Sequence, residues 1–211
     1  NVNFFGQRNY VHKENEAWTD NFHEVIETLD GLVKEGRIRH YGVSNETSWG
    51  VMRQLQESDK HDLTRCKTIQ NPYSLLNRTF EINLAEVSMR EKVGLLAYSP
   101  LAFGVLSGKY LGGKMPEKSR IKLFPNYSRY SNPQALHLTE KYKEMADRHG
   151  LSLTHLSLAF VNQRPFVTSN IIGATTMEQL RENISSIDVE LSEEMLSEID
   201  EIQNLQPSPA P

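Results

Sequence analysis

Three short polar stretches could supply hydrogen bonds to a ligand, and each of them ends a run of apolar residues. The polar residues at these three ends are Ser44 and Asn45, then Gln70 and Asn71, then Tyr98, Ser99 and Pro100. Their side chains form a neutral set of directional donors and acceptors with one flat aromatic face. This set favours binding of an aromatic ligand that carries an amide over hydrolysis. The alternative is that these residues only cap helices and make turns.

A fourth stretch, NIIGATTMEQLRENI, leads from a predicted buried strand at Asn170–Ala174 directly into a helix. The helix start leaves unpaired N–H groups and a partial positive charge. Because Gly173 and Ala174 carry almost no side chain, an anion could approach these groups closely. Two capping boxes are possible there, Thr175 with Glu178 and Thr176 with Gln179. The alternative is that the corner is bare only for tight packing.

A long loop, residues 104–132, follows the third apolar run and carries Lys109 and Arg120. A loop of this length in a compact fold is usually functional or disordered. We expect the two cations to meet a phosphate, with solvation of both charges as the alternative. The stretch GVLSGKY in this loop is one residue too short for a phosphate-binding loop, and it has Tyr110 where serine or threonine would bind magnesium.

The elements that must position these residues alternate between strand and helix. Predicted strands cover residues 38–44, 67–72, 93–101 and 170–174; predicted helices cover 18–36, 78–91, 133–148 and 154–164 and begin near Ser48 and Ser192. Continuous apolar strands between helices predict an α/β fold with a parallel sheet. An open doubly wound sheet and a (β/α)8 barrel both bind ligands at the carboxyl ends of their strands. The absence of GxGxxG makes an open dinucleotide-binding sheet less favoured. One domain is expected at 1–205, with a loose tail at 206–211.

Composition excludes several classes of function. The net charge of −4 favours neither nucleic acid nor an anionic membrane as a partner. No apolar run approaches the ~20 residues of a membrane span, and Cys66 is the only cysteine, which indicates a reducing compartment and a cytoplasmic protein. The seven histidines are scattered and form no recognised metal motif, so no metal site is predicted.

Four motifs in order, GRIRHYGVSN, IQNPYSLLNR, LLAYSPLAFGVLSGKY and IIGATTMEQLRENI, closely resemble the aldo-keto reductase family. The most similar branch holds Tas-like bacterial reductases and the potassium-channel β subunits. The resemblance implies a (β/α)8 barrel that binds NADPH/NADP and reduces aldehydes or ketones. It also implies an alternative, an NADP(H)-binding module that senses redox state and interacts with a partner, as the channel β subunits do.

The resemblance implies a role for residues in each motif. Those implied to hold the nicotinamide are Ser44, Asn45 and Gln70 at its carboxamide and Tyr98 against its ring. Those implied to line the pyrophosphate are Ser99, Pro100, Leu101, Ala102 and Gly104, with Lys109 and Arg120 closing over it. Those implied at the adenosine end are Gly173, Thr175 and Gln179 at the 2′-phosphate and Glu182 and Asn183 at the adenine.

Two departures from the family pattern qualify this expectation. Many members have Lys-Ser and an arginine at the corner where this chain has Gly173-Ala174 and Gln179. The channel-β-like branch has the same substitution, so NADPH is expected, with the strictness over NADH left open. The family's catalytic Asp, Tyr, Lys and His lie on the first half of a barrel of about 250 residues. This chain matches strands five to eight, so the resemblance implies a cofactor-binding half with no catalytic residue, inactive alone. Its expected partners are a small carbonyl substrate and a homo-oligomer or a missing amino-terminal half-barrel.

Overall fold

The protein is described by a computed structural model that covers residue 14, residues 20–125 and residues 128–211. A four-stranded sheet in the order β1-β2-β3-β4 lies at its centre, and all three pairings are parallel. The strands are β1 (Gly42–Ser44), β2 (Thr68–Pro72), β3 (Gly94–Tyr98) and β4 (Val167–Asn170). The predicted fold class, α/β with a parallel sheet between helices, is confirmed.

Eight α-helices connect and cover these strands in the described part of the chain. They are α1 (Phe22–Lys34), α2 (Ser48–Lys60), α3 (Leu84–Glu91), α4 (Arg120–Leu123), α5 (Pro133–Arg148), α6 (Leu153–Asn162), α7 (Met177–Ser185) and α8 (Glu193–Leu205). Five of these helices have an N-cap side chain whose oxygen accepts a hydrogen bond from a main-chain N–H in the first turn. The capping residues are Thr47, Asn132, Ser152, Thr176 and Ser192. These caps satisfy donors that a helix start otherwise leaves unpaired, and they explain why the predicted starts of α2, α5 and α8 are correct.

The register of the sheet brings the polar ends of the first three strands together. Ser44 pairs with Gln70, and Pro72 pairs with Tyr98. Gly42 permits the close approach of β1 to β2, because a Cβ at this position would lie 2.7 Å from the main-chain oxygen of Thr68. The predicted meeting of these strand ends at one edge of the sheet therefore follows from parallel pairing.

Several predicted boundaries are wrong. The first strand begins at Gly42 rather than residue 38, and the first helix ends at Lys34, while its predicted start at Trp18 lies outside the described residues. The predicted helix 78–91 is interrupted by Asn83, whose φ of 70° is incompatible with a helix, so a 3₁₀ turn precedes α3. The long loop is also more ordered than predicted, since it contains α4 and short 3₁₀ turns.

The fourth strand lies earlier in the chain than predicted. It ends at Asn170, whereas residues 171–174 were expected to be strand, and it is only partly buried rather than buried throughout. Pairing with β3 decides this position, because Asn170 pairs with Ala97 and only the N–H of Ile171 continues the ladder, 2.8 Å from the Ala97 oxygen. The apolar Ile171–Ile172 pair therefore follows the strand instead of forming it.

The predicted loose tail at 206–211 is packed against the body of the protein. Ala210 is buried and its N–H donates to the Leu76 oxygen at 3.1 Å. Ser208 Oγ accepts from the Arg78 N–H, and the Pro209 oxygen accepts from Asn132 Nδ2. The composition of residues 206–211 predicted a chain end surrounded by solvent, but these hydrogen bonds attach the segment to the folded protein.

The core forms one cluster of apolar side chains between the sheet and the helices. Its largest fully buried members include Tyr73, Tyr130, Tyr142 and Phe160. Among the residues that the structure describes, none of the helices combines the length and the apolar character that crossing a membrane demands.

Candidate functional site

The ends of β1 and β2 are joined through one main-chain oxygen. The Gln70 oxygen accepts from Ser44 Oγ at 3.1 Å and from the Asn45 N–H at 3.0 Å. Asn45 has a φ of 53°, a left-handed conformation that asparagine tolerates better than most residues. The turn after β1 is therefore held in place by the neighbouring strand.

Tyr98 at the end of β3 joins the same group. Its hydroxyl donates to Asn45 Oδ1 at 2.6 Å, across 53 residues of sequence. Because Oδ1 is occupied, the Asn45 amide presents its NH₂ group as a donor. Burial raises the pKa of the Tyr98 phenol, and the charge of Arg129 opposes this increase. Tyr98 is therefore a neutral donor to Asn45 at physiological pH.

The free capacity of this cluster matches a primary carboxamide. Asn45 offers N–H donors, Ser44 Oγ keeps acceptor capacity after donating to the Gln70 oxygen, and the exposed Gln70 side chain can do both. A carboxamide has one acceptor oxygen and two N–H donors, so each of its groups finds a complement. The half-buried ring of Tyr98 adds an aromatic face beside them.

Asn71 belongs to the fold rather than to this cluster. Its Oδ1 accepts from the Glu46 N–H at 3.1 Å, and its Nδ2 donates to the Glu46 oxygen at 3.0 Å. Both ends of the amide are therefore used to fix the start of α2, which supports the turn-making alternative for this one residue.

The turn that follows β3, Ser99–Gly104, is here named the β3 corner. Four of its residues have left-handed φ values: Ser99 at 55°, Ala102 at 48°, Phe103 at 57° and Gly104 at 88°. Two main-chain bonds close it, from Ala102 N–H to the Ser99 oxygen and from Gly104 N–H to the Leu101 oxygen, each 2.8 Å long. Pro100 and Ala102 are buried. Non-glycine residues in this region cost of order 1–3 kcal/mol each, so the surrounding structure must impose the conformation.

Lys109 and Arg120 lie against the β3 corner. A Cβ on Gly104 would lie 2.6 Å from both Cε and Nζ of Lys109, so the lysine passes over the glycine. The Arg120 guanidinium lies 4.6 Å from the centre of the Phe103 ring. Neither cation forms an ion pair with any residue that the structure describes. Two cations that have no acidic partner among the described residues and lie beside this turn are suited to a phosphate.

The turn that follows β4, Ile171–Thr176, is here named the β4 corner. Gly173 is exposed, and a Cβ placed on it would meet nothing within 4 Å. The N–H and Oγ1 of Thr175 both donate to Gln179 Oε1, at 2.9 and 3.0 Å. Thr176 is the N-cap of α7 and accepts from the Gln179 N–H at 3.2 Å. The Thr176–Gln179 capping pair is therefore only half formed, because Gln179 Oε1 accepts from the Thr175 N–H rather than from the Thr176 N–H. The Thr175 N–H, expected to face an anion, already has this hydrogen-bond partner.

Asn183 and Glu182 support this corner from α7. Asn183 is buried and its Nδ2 donates to the Gly173 oxygen at 3.1 Å. Glu182 Oε1 accepts from Ser152 Oγ at 2.7 Å, which joins α7 to the start of α6. The contact of both residues with an adenine remains a prediction.

Two site residues were missed by sequence reasoning. Arg129 acts on the phenols of Tyr98 and Tyr130, opposing the burial that raises the pKa of each. Tyr130 is buried, and its ring packs edge-on against Phe103 with centroids 4.9 Å apart. In the sequence, these residues stand out only as an arginine followed by a tyrosine in a polar loop. This pattern does not predict that the loop packs against the end of β3.

Together, these observations describe a parallel α/β protein whose strands end in a cluster of hydrogen-bonding side chains beside an aromatic ring. The comparison with known families agrees with this class. Residues 9–204 match the model of the Aldo/keto reductase family, which is most of the chain. The chain belongs to the aldo/keto reductase family, a family of oxidoreductases.

Individual relatives include the same branch that the motifs indicated. Protein tas of Escherichia coli strain K12 is 50% identical over 215 residues, covering 100% of this chain and 60% of the relative. An aldo-keto reductase of Babesia bovis is 38% identical, covering 76% and 59%. A probable voltage-gated potassium channel subunit beta of Arabidopsis thaliana is 30% identical, covering 79% and 52%. The chain thus spans about 60% of the length of its tas relatives.

Proposed function

We propose that this chain holds the nicotinamide nucleotide of an NADPH-dependent oxidoreductase that reduces aldehydes or ketones to alcohols. The observation that carries the proposal is the hydrogen bond from the Tyr98 hydroxyl to the Asn45 side chain, with Ser44 and Gln70 beside it. This arrangement leaves free the donors and acceptors that a nicotinamide carboxamide needs, next to an aromatic ring.

Each group has a defined task in binding. The Asn45 NH₂ would donate to the carboxamide oxygen, and Ser44 Oγ would accept from the carboxamide nitrogen. The Tyr98 ring would stack on the nicotinamide and leave its opposite face open to substrate. Since the Tyr98–Asn45 bond exists before binding, little freedom is lost when the ring is oriented.

The phosphates would be divided between the two corners. Lys109 and Arg120 would neutralise the pyrophosphate at the β3 corner, where no described acidic group competes for them. The 2′-phosphate would lie at the β4 corner beside α7. For the Thr175 N–H to reach this phosphate, Gln179 Oε1 must release it.

When bound, the reduced nicotinamide would supply the hydride that reaches the carbonyl carbon. The carbonyl oxygen also needs a proton. Tyr98 is unsuited to donate it, because its hydroxyl already donates to Asn45 and burial raises its pKa. We therefore assign no catalytic residue within this chain and place the proton donor in a segment outside these residues, so that the chain alone does not reduce carbonyls.

Nicotinamide fluorescence measured during titration with NADPH tests the binding. Removing the charge of a phosphate contact by Lys109→Ala is expected to weaken binding about tenfold, close to 1.4 kcal/mol. Lys118→Ala, which removes an exposed lysine of the same loop, is the control and should leave the affinity unchanged. Absence of saturable NADPH binding, or equal losses in both variants, would contradict the proposal. Turnover with a panel of aldehydes should appear only when the proton-donating segment is present.

A second function is favoured by the relatives named as potassium channel β subunits. In this alternative, the chain would bind NADP(H) and report its redox state to a partner protein with slow turnover. Co-purification with a partner and negligible aldehyde reduction by the complete enzyme would favour it. Rapid reduction by a monomeric enzyme would exclude it.

The other partner expectations also remain proposals. Among the described residues, β1 pairs only with β2 and β4 pairs only with β3, so each outer strand presents one unpaired side. This supports either self-association or pairing with a further half-barrel. A small carbonyl substrate, a cytoplasmic location and the absence of nucleic-acid and membrane partners are proposed from the sequence alone.

A further inference from the structure

Two histidines converge on one carboxylate on the outer face of helices α1 and α2. His23 Nδ1 lies 3.3 Å from Glu57 Oε1, and His61 Nε2 lies 2.9 Å from the same oxygen. One ligand atom from each of the three residues can be chosen so that all lie within 4.8 Å of one another. We propose that His23, Glu57 and His61 bind a divalent transition cation of the Zn²⁺ type.

The separations suit tetrahedral coordination. With bonds of ~2.1 Å to imidazole nitrogen and carboxylate oxygen, neighbouring ligand atoms of a tetrahedral zinc lie ~3.4 Å apart. The two measured distances to Glu57 Oε1 differ from this value by only a few tenths of an ångström. Small side-chain rotations would therefore admit the ion, with water in the fourth position. Two imidazoles and a carboxylate select such a metal over Mg²⁺, which prefers oxygen ligands.

The secondary structure makes this arrangement rigid. Glu57 and His61 are four residues apart at the end of α2 and therefore share one face of the helix. His23 lies in the first turn of α1, which packs against α2. Glu57 is buried, whereas the side chains of His23 and His61 are 48% and 36% exposed. An ion can therefore enter from solvent and meet a carboxylate whose position is fixed.

Arg53 completes the surroundings of the carboxylate. Its guanidinium donates to Glu57 Oε2, leaving Oε1 to the histidines, and it also donates to Asp20 Oδ2 at 3.1 Å. Ligating carboxylates commonly have such a hydrogen-bonding partner, which orients them. Asp20 offsets the charge of Arg53, so the guanidinium does not by itself exclude a cation.

The chain contains a comparable group that lacks one ligand. Glu198 accepts from Arg148 and lies 3.2 Å from His149 Nε2, but among the described residues no second histidine contacts it. This Arg-Glu-His group therefore reproduces the ion pairs of the first cluster without its three-ligand geometry. It provides an internal control for binding that depends only on a histidine beside a glutamate.

Isothermal titration of the metal-free protein with ZnCl₂ tests the proposal, together with the absorption spectrum of added Co²⁺. We expect one equivalent to bind, with an imidazole-ligated Co²⁺ spectrum and a higher Tm. His23→Gln and His61→Gln should each weaken binding at least tenfold and abolish the Tm increase. His149→Gln and the exposed His137→Gln should bind as the unmodified protein does.

The exposure of both histidines keeps this test independent of folding. The two variants should retain the Tm of the unmodified protein in EDTA, because neither removes a buried side chain. Absence of stoichiometric Zn²⁺ binding would overturn the proposal. Binding that survives in the His23→Gln, His61→Gln double variant would also overturn it, since the ion would then lie elsewhere. Neither result would bear on NADPH binding at the strand ends.

Discussion

The β3 and β4 corners follow neighbouring strands of one sheet, but they are constructed in opposite ways. At the β3 corner, four left-handed residues, buried side chains and two overlying cations fix the main chain. At the β4 corner, every residue has an ordinary φ, Gly173 has open space around it, and side chains of α7 provide the tethers. Packing holds the first corner in a strained main-chain conformation, whereas replaceable hydrogen bonds hold the second.

This difference changes the interpretation of a bare glycine. From the sequence, an anion was predicted at the Gly173–Ala174 corner, because missing side chains let it approach the helix start. In the structure, Gly104 is the glycine that the fold requires, because its φ of 88° is a conformation that other residues rarely adopt. A glycine therefore indicates necessity where its main-chain conformation disfavours a side chain, which holds for Gly104 and not for Gly173.

The largest expected effect compares the two glycines directly. Gly104→Val would place a branched side chain at a left-handed position and displace Lys109, so it should lower the free energy of unfolding by about 2 kcal/mol. Gly173→Val meets nothing and should change it by less than about 0.5 kcal/mol. Urea denaturation of both variants measures the two values. Equal destabilisation would show that the corners do not differ as described.

An intermediate effect is expected at Gln179, which currently occupies the Thr175 N–H. Gln179→Arg would free this N–H and add a cation beside the proposed 2′-phosphate, raising the preference for NADPH over NADH about tenfold. Gln179→Met frees the N–H without adding charge and serves as the control. The ratio of the two dissociation constants, from parallel titrations, is the measurement. An unchanged ratio in Gln179→Arg would place the 2′-phosphate away from the β4 corner.

The smallest effect concerns the Tyr98 hydroxyl. Since burial raises the pKa of Tyr98, its neutral form is favoured in the folded protein. The associated stability is present below the ordinary value of about 10 and is lost as pH rises through the folded pKa. NADPH affinity should therefore be constant from neutral pH to about 9. Tyr98→Phe should weaken binding only a few-fold, consistent with one lost hydrogen bond of about 1 kcal/mol.

Fluorescence titrations across this pH range, repeated with Tyr98→Phe, give both quantities. Tyrosinate absorbance of the unmodified and variant proteins identifies the contribution of this phenol. A step in affinity near neutral pH that is absent from Tyr98→Phe would mean that Tyr98 ionises there, contrary to its buried, bonded position.

Much of the site was predictable because parallel strands end at a common edge. Ser44, Asn45, Gln70 and Tyr98 were chosen for their positions after apolar runs, and the structure brings them together. The strand before Gly173 was misplaced because its register depends on β3 and not on its own apolar residues. The His23–Glu57–His61 group was also missed, since the spacing of Glu57 and His61 gives only a pair and the packing of α1 on α2 adds His23.

The hydrogen bond from Tyr98 to Asn45 has a consequence for how the protein is assembled. Its two ends are separated by α2, β2 and α3, and the Gln70 oxygen that anchors the Asn45 turn belongs to the strand between them. The Tyr98 hydroxyl can therefore reach Asn45 only when β1, β2 and β3 have paired in register. The proposed nicotinamide pocket is consequently complete only when these three strands are paired, so its ligand would bind chains whose sheet is already formed.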